Sequence, residues 1–423
     1  MAAQSHIPVG SIIAALDVGS SKIACFIARV MSEDGQIDIV GIGHQASRGI
    51  KAGTVIDLDA AEIAIRQAVH AAEHMAAESL HGYPLREVIV NMPALHAQSH
   101  AVAVSVQILG QQVTENDIRR ALAKAQDHLM TEDAELIHTI PIAYRLDGKE
   151  GVDDPRGMVG HGLDVNIHMV TGELAALKNM ASAIERSHLD IVSLCLSPYA
   201  AGLSVLVDDE MDLGCTVIDM GGGLTSFAVF SGGALIFADA IPIGGQHVTN
   251  DIARGLTTSV ADAERIKTLY GSAMATSSDE RELIDVPLLG EETHATPNHV
   301  PRSLLVGIIQ PRLEEIFEHV RARLQDSGLG TVAGRRLILT GGASQLPGTR
   351  DLAQRILDKQ VRLGRPLSLT GLADSVSGPA FATTAGLLRY LIQRPHEMPA
   401  EIMAHVAHGS MWDRLKLWLR ENW

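Results

Sequence analysis

The chain has 423 residues, 46% hydrophobic and 20% charged, with a formal net charge of -16. That length supports two or more domains. The acidic balance, with no Lys/Arg block, excludes a nucleic-acid surface, because phosphate binding needs clustered cations. Cys25, Cys195 and Cys215 are scattered without a CxxC pair, so neither a disulfide framework nor a zinc site is expected and a reducing compartment fits. The N-terminus shows no basic region followed by an apolar stretch, so no signal peptide is expected. No apolar run approaches the ~20 residues of a membrane span.

In chain order, an apolar strand is expected over 11–18, a turn at Gly19-Ser20-Ser21, and strands over 22–30 and 36–42. A helix follows over 58–79 with Asp57 as N-cap. Its small-residue face carries Ala61, Ile65, Ala68, Ala72, Met75 and Ser79 at three- and four-residue steps. The stretch 87–171 reads as an inserted α+β subdomain. It has strands at 87–91, 101–109, 136–140 and 163–170, one helix at 115–129, and a loop at 147–162 rich in Gly, Asp and Pro. Further on come a helix at 173–187 and strands at 191–196, 215–220 and 227–230. Helices are expected at 247–254, 261–270 and 301–325, then a strand at 336–340 and a helix at 379–393. Strands alternating with helices indicate an α/β fold.

Two segments some two hundred residues apart repeat one pattern. Ala15-Leu16-Asp17-Val18-Gly19-Ser20-Ser21-Lys22 and Val217-Ile218-Asp219-Met220-Gly221-Gly222-Gly223-Leu224-Thr225 are each an apolar strand ending in Asp, a Gly-rich turn, then a strand. Such a repeat suggests duplicated domains facing a cleft. Glycines let consecutive N–H groups form an anion nest, and Ser20, Ser21 and Thr225 add hydroxyl donors. Asp17 and Asp219 are placed to hold Mg²⁺ through its waters. Either motif alone reads equally as an ordinary hairpin turn; together they point to a phosphate site. A third Gly-rich turn, Gly341-Gly342-Ala343-Ser344, follows a strand and lets a nucleotide lie against backbone. Glu264 and Lys267, three apart on a helix, either reach a ribose or base or form a surface ion pair.

The order of these three motifs resembles the actin, sugar-kinase and chaperone superfamily, and within it the chain is most similar to the FtsA cell-division family. Ser47-Arg48-Gly49-Ile50-Lys51-Ala52-Gly53 resembles the family's S-R-G-x-x-x-G segment. Asn250-Asp251-Ile252-Ala253, residues 261–267, Pro311-Arg312, residues 339–343 and Leu369-Thr370-Gly371-Leu372 also match. The resemblance covers nearly the whole chain. It implies an α/β fold of actin-like (ribonuclease H-like) duplicated domains around a nucleotide cleft. The first domain would be 11–86, 171–214 and 374–394, the second 215–373, and 87–170 the family's insert. It implies ATP and Mg as ligands, head-to-tail polymers, binding of the FtsZ C-terminal peptide with Arg312 as a basic contact, other divisome partners, and a midcell position on the cytoplasmic face of the inner membrane. Without the resemblance, Arg312 reads as a solvated helix charge. Ser197-Pro198-Tyr199-Ala200-Ala201 aligns with the chaperones' E-P-T-A-A segment, so a serine stands where a carboxylate would activate water. Slow hydrolysis, at most, is expected.

All three tryptophans lie in the tail, Trp412, Trp418 and Trp423. At about 100° per residue, Met411, Trp412, Leu415, Trp418, Leu419 and Trp423 share one face of a helix over 410–423. Arg414 and Lys416 flank it, where they can reach anionic headgroups, and Leu417 points to the polar side. This is an interfacial pattern, the alternative being a helix docked on the protein's own core. Residues 395–409 read as its linker. A small-molecule kinase of the same superfamily would not need this tail; a pilus or secretion scaffold would share the cleft and bind another peptide.

Overall fold

The computed structural model describes residues 7–393, apart from 34, 128, 130, 132, 291–297, 331 and 368. The linker at 395–409 and the expected helix at 410–423 lie outside the described residues. Among the described residues no helix is long and apolar enough to cross a membrane.

Two five-stranded sheets carry the fold, and their topologies are the same. In the first, Ile12–Val18 is central. It pairs antiparallel with Lys22–Val30, which pairs with Ile37–Ala46; on its other side it runs parallel to Glu87–Met92, which pairs with Asp190–Leu196. In the second, Cys215–Met220 is central. It pairs antiparallel with Thr225–Ser231 and that with Ala234–Ile241, and runs parallel to Arg336–Thr340 and then Gln360–Leu363. The central strands are buried nearly throughout, because helices cover both faces of each sheet and only apolar runs tolerate that.

The helix Leu58–Met75 begins where Asp57 accepts from the N–H groups of Asp59 and Ala60. Ala61, Ala64, Ile65, Ala68, Val69 and Ala72 face the sheet. The helix ends at Met75, short of the expected residue 79: Ala76 continues the buried face and caps the helix, while Met75 is more than half exposed and the chain goes on in turns to residue 82.

The strand Glu87–Met92, expected in the insert, belongs to the first sheet. The inserted sheet runs Ala97–Gln107, Gly162–Glu173, Ala134–Leu146, Lys149–Val152 in spatial order, all antiparallel. The helix Glu115–Gln126 closes it, with Val104, Ile118, Ala121, Leu163, Val165, Ile167 and Met169 between them. The region expected as one loop at 147–162 contains the strand Lys149–Val152. Asp147 and Gly148 both take positive φ (50° and 78°), which makes the turn that pairs it with its neighbour. The insert docks on the edge of the second sheet: Ser99 Oγ donates to the Ala238 carbonyl (2.9 Å) and accepts from the Ala238 N–H (3.0 Å).

Two helices join the halves. Ser197–Val205, absent from the sequence reading, is buried at every position. It crosses Ala382–Gln393, buried at nine positions. A Cβ built on Gly386 would lie 1.6 Å from the Ala200 carbonyl oxygen, so the two backbones touch where only glycine fits. One core cluster runs from Phe26 and Ile89 of the first sheet through Tyr199, Leu387 and Tyr390 to Val217 and Phe230 of the second.

Candidate functional site

A cleft of about 680 Å³ opens between the two sheets. Its floor is built by the two repeated hairpins, which meet tip to tip. A Cβ on Gly222 would stand 2.6 Å from the Ser21 Cβ, and one on Gly223 would stand 2.5 Å from the Ser20 Oγ. Side chains at those glycines would push the halves apart, which is why the turns need glycine.

Asp17 ends the central strand of the first sheet and Asp219 that of the second, and both line the cleft. The Ala382–Gln393 helix reaches each with consecutive hydroxyls: Thr384 donates to Asp17 Oδ2 and Thr383 to Asp219 Oδ2, both at 3.1 Å. Lys22 donates to the Ala380 carbonyl and lies 3.8 Å above the centroid of the Phe381 ring. Burial raises the Asp17 carboxyl above its ordinary range, against the Lys22 charge and the Thr384 bond. Burial, then the Asp17 charge, pushes Asp219 up to about 6. Burial lowers Lys22, against both carboxylates. Two carboxylates competing for one ammonium leave a site that would be relieved by a further cation.

Gly19, Ser20, Ser21, Lys22, Gly221, Gly222, Gly223, Glu264, Lys267, Gly341, Gly342 and Ala343 all line this one cleft with Asp17 and Asp219. Two expected residues do not. Thr225 is fully buried and its hydroxyl donates to the Ile243 carbonyl (2.8 Å). It opens a strand whose faces alternate, so the next residue, Ser226, lines the cleft instead. The Ser226 hydroxyl has no hydrogen-bond partner among the described residues. Ser344 also turns inward, donating to the Gly341 carbonyl (2.7 Å) to close its own turn.

Glu264 and Lys267 pair at 2.6 Å, and Lys267 also donates to Thr249 Oγ1 (2.8 Å), which donates to Glu264 (2.5 Å). The pair thus clasps the helix Val260–Tyr270 to Gly245–Gly255 and stands on the cleft wall. The latter helix starts against the second hairpin, the Gly245 and Gln246 N–H groups donating to the Gly221 and Gly222 carbonyls.

Ser197 lines the cleft, its hydroxyl donating to the Met92 carbonyl (3.0 Å) and accepting from Asn91 Nδ2 (3.2 Å). Asn91 in turn accepts from the Val18 N–H (2.7 Å). Asn91, Ser226 and Thr383 went unread in the sequence, since each lies in a strand or helix with no glycine signature of its own; Gln246 directly follows Gly244-Gly245, a signal that could have found it. Among the described lining residues the carboxylates are Asp17, Asp219 and Glu264.

Arg312, on the long helix Arg302–Asp326, is not a free cation. Its guanidinium meets Asp251 in a fork (2.6 and 3.2 Å) and also donates to Glu315. The bond to Asp251 holds it further into the protonated range. The expected tail residues Met411, Trp412, Arg414, Leu415, Lys416, Trp418, Leu419 and Trp423 lie outside the described residues.

Comparison with known proteins bears on the whole chain. A family model described as "Cell division protein FtsA" matches residues 216–386, and one described as "SHS2 domain inserted in FTSA" matches 95–171, close to the inserted sheet. The cell division protein FtsA of Rhizobium meliloti (strain 1021) is 42% identical, over 97% of this chain and 95% of that protein. The FtsA proteins of Pseudomonas aeruginosa and Escherichia coli (strain K12) are 35% and 32% identical, each over 98% of their own length. Among solved structures, a PilM-PilN type IV pilus biogenesis complex is similar with a TM-score of 0.63 at 17% identity, over 90% of this chain and 98% of that one. MreB5 of Spiroplasma citri bound to ADP gives 0.52 at 14%, over 90% and 97%. These two support the actin-like fold.

Proposed function

Because the chain belongs to the FtsA family of cell-division proteins, we propose that it is an ATP-binding, actin-like adaptor that polymerises and tethers FtsZ filaments to the inner membrane at midcell. The observation that carries the nucleotide part is the meeting of the two glycine hairpins, with Asp17, Asp219 and Lys22 beneath them. Backbone N–H groups of residues 20–22 and 222–223 would hold the phosphates, together with Ser20, Ser21 and Ser226, the Gly19 and Gly221 N–H groups closing their own turns on the Lys22 and Leu224 carbonyls. Asp17 and Asp219 fit water-mediated Mg²⁺, since their raised carboxyls gain most from a cation. Gly341, Gly342 and Ala343 would back the nucleoside, with Glu264 and Lys267 at its edge. A bound Mg²⁺ would screen phosphate charge; the protein's own groups bind and orient. Ser197 offers a hydroxyl already engaged by Met92 and Asn91 where a carboxylate would activate water, which supports binding with slow hydrolysis.

The membrane part rests on the tail's sequence. One short interfacial helix binds weakly, and polymerisation would multiply its hold by about 10²–10⁴. The FtsZ peptide would meet Arg312 by exchanging its own carboxylate for the Asp251 and Glu315 carboxylates that now hold the guanidinium. The test has three arms. A fluorescent ATP analogue is titrated with Mg²⁺. Residues 405–423, fused to a fluorescent protein, are floated with anionic vesicles beside the full chain with and without ATP. The FtsZ C-terminal peptide is titrated against wild type and Arg312→Glu. Nucleotide binding, ATP-enhanced vesicle recovery and loss of peptide binding in the variant are expected. A full chain that ignores ATP and vesicles sinks the adaptor reading and turns attention to a kinase substrate screen.

A further inference from the structure

The segment Ser47–Gly53 and the two residues after it sit at a junction that nucleotide binding alone does not explain. Ile50–Lys51 and Thr54–Val55 form a small hairpin. Its turn touches both phosphate hairpins: the Gly53 N–H donates to Ser20 Oγ (3.0 Å), and a Cβ on Gly223 would come within 3.0 Å of the Ala52 nitrogen. Gly53 has a φ of +77°, and a Cβ there would strike Pro93 at 2.7 Å and Leu224 at 3.2 Å. Pro93 leads directly into the insert. The hairpin is therefore wedged between the second phosphate turn and the insert's entry.

The next residue binds the insert itself. Thr54 Oγ1 lies 2.7 Å from His96 Nε2, and His96 Nδ1 lies 3.0 Å from Glu173 Oε2. With the carboxylate accepting, Nδ1 carries the proton, and Nε2 accepts from the Thr54 hydroxyl. His96 is at the entry neck of the insert, next to the strand Ala97–Gln107. Glu173 is at the exit neck, where Gly162–Glu173 ends and the helix Leu174–Arg186 begins. One imidazole thus holds the insert's two necks to each other and to the hairpin that contacts Ser20.

We propose that Thr54, His96 and Glu173 form a positioning clamp through which occupancy of the phosphate site sets the orientation of the inserted subdomain. The proposal rests on nucleotide binding in the cleft. A phosphate that takes the Ser20 hydroxyl as donor polarises its oxygen and strengthens the bond that the oxygen already accepts from Gly53, so the hairpin follows the loop. Thr54 moves with Gly53, and His96 and Glu173 move with Thr54. Without the clamp, the insert keeps its contact at Ser99 and Ala238 but no longer follows the loop.

The test uses the full chain. Cys25, Cys195 and Cys215 are all buried, so spin labels can be directed to Gln67→Cys on the first domain and Lys149→Cys on the insert, both exposed positions. Electron–electron distances are measured without nucleotide and with ATP and Mg²⁺, beside separate titration of ATP affinity and a circular-dichroism check of folding. The expected result is a nucleotide-dependent shift of the mean distance in the parent. That shift is lost in Thr54→Val and His96→Ala with affinity changed less than about threefold, and restored in His96→Gln, whose amide can accept and donate at the same two places. Thr54→Val removes only a hydroxyl, so it decides the matter if His96→Ala fails to fold. A shift that survives Thr54→Val, or a parent that binds ATP with no shift, overturns the clamp. A parent that does not bind ATP overturns the cleft reading and the clamp with it.

Discussion

The crossing of Ser197–Val205 and Ala382–Gln393 gives the sharpest mutational expectation. In Gly386→Ala the new Cβ would lie 1.6 Å from the Ala200 oxygen, 2.3 Å from its carbonyl carbon and 3.0 Å from its Cα. A carbon against a carbonyl oxygen needs about 3.3 Å. The obstacle is backbone, so no rotamer change relieves it, and the helices must part by about 1.7 Å. Overpacking of this kind costs about 3 kcal/mol, the upper end of its usual range. Replacing a mid-helix glycine returns about 1 kcal/mol, leaving a net loss of about 2 kcal/mol. Function would suffer with stability, because Thr383 and Thr384 on one helix hold Asp219 and Asp17, and Ser197 heads the other. Urea unfolding with ATP titration on the same samples reads both: a lower midpoint with unchanged slope, and weaker binding. A variant that unfolds at the parental urea concentration and binds ATP as the parent does would refute backbone contact at this crossing.

Three further outcomes follow from the site. Because the Asp219 carboxyl is raised toward 6 in the folded chain, the stability this group contributes is complete below about pH 4 and is lost as pH rises through 6. Asp219→Asn should therefore raise the melting temperature of the nucleotide-free protein at pH 7.5 more than at pH 5. The gain is on the order of 1–2 kcal/mol at this mostly buried group; an equal fall at both pH values would contradict the burial argument. Thr225→Val leaves the Ile243 carbonyl unpaired and should cost about 1–2 kcal/mol with ATP affinity kept, whereas Ser226→Ala should keep stability and weaken ATP binding. Denaturation and titration that show the reverse pattern would mean the hydroxyls have been assigned to the wrong faces. Asp251→Asn weakens the fork on Arg312 and should tighten the FtsZ peptide about fivefold at low salt, the equivalent of about 1 kcal/mol; weaker binding by calorimetry would place Asp251 among the peptide's contacts.

Where side chains alternate or repeat visibly, the sequence reading and the structure agree closely. The strands leading into Asp17 and Asp219 are apolar runs ended by glycine, and the structure puts both turns in one cleft. The helix Ser197–Val205 escaped because it is buried on all sides, so its residues carry no 3.6-residue stripe. Ala234–Ile241 was legible, since Gly232-Gly233 between two apolar runs is a hairpin signal that the reading did not use, and Thr349–Leu357 escaped because Gly348 before it reads as a loop. The Thr225 and Ser226 exchange is a one-residue matter: in a strand, stepping by one changes the face. Strand Glu87–Met92 was assigned to the insert because a strand's sheet membership depends on a distant partner, here Asp190–Leu196 and Ile12–Val18. The Asp251 fork on Arg312 joins residues 61 apart, and no local pattern announces such a pair.

The docking of Ser99 on Ala238 has a consequence for any attempt to trim the molecule. Ala234–Ile241 is the outer strand of the second sheet, and its sequence, Ala-Leu-Ile-Phe-Ala-Asp-Ala-Ile, offers one charge in eight residues. A bare strand of that composition is a template for another chain. The inserted subdomain acts there as a gatekeeper, one serine standing in for a neighbouring strand at its middle. Deleting residues 97–173 would not yield a smaller well-behaved core but an adhesive rim, and such a product should aggregate where the full chain stays dispersed.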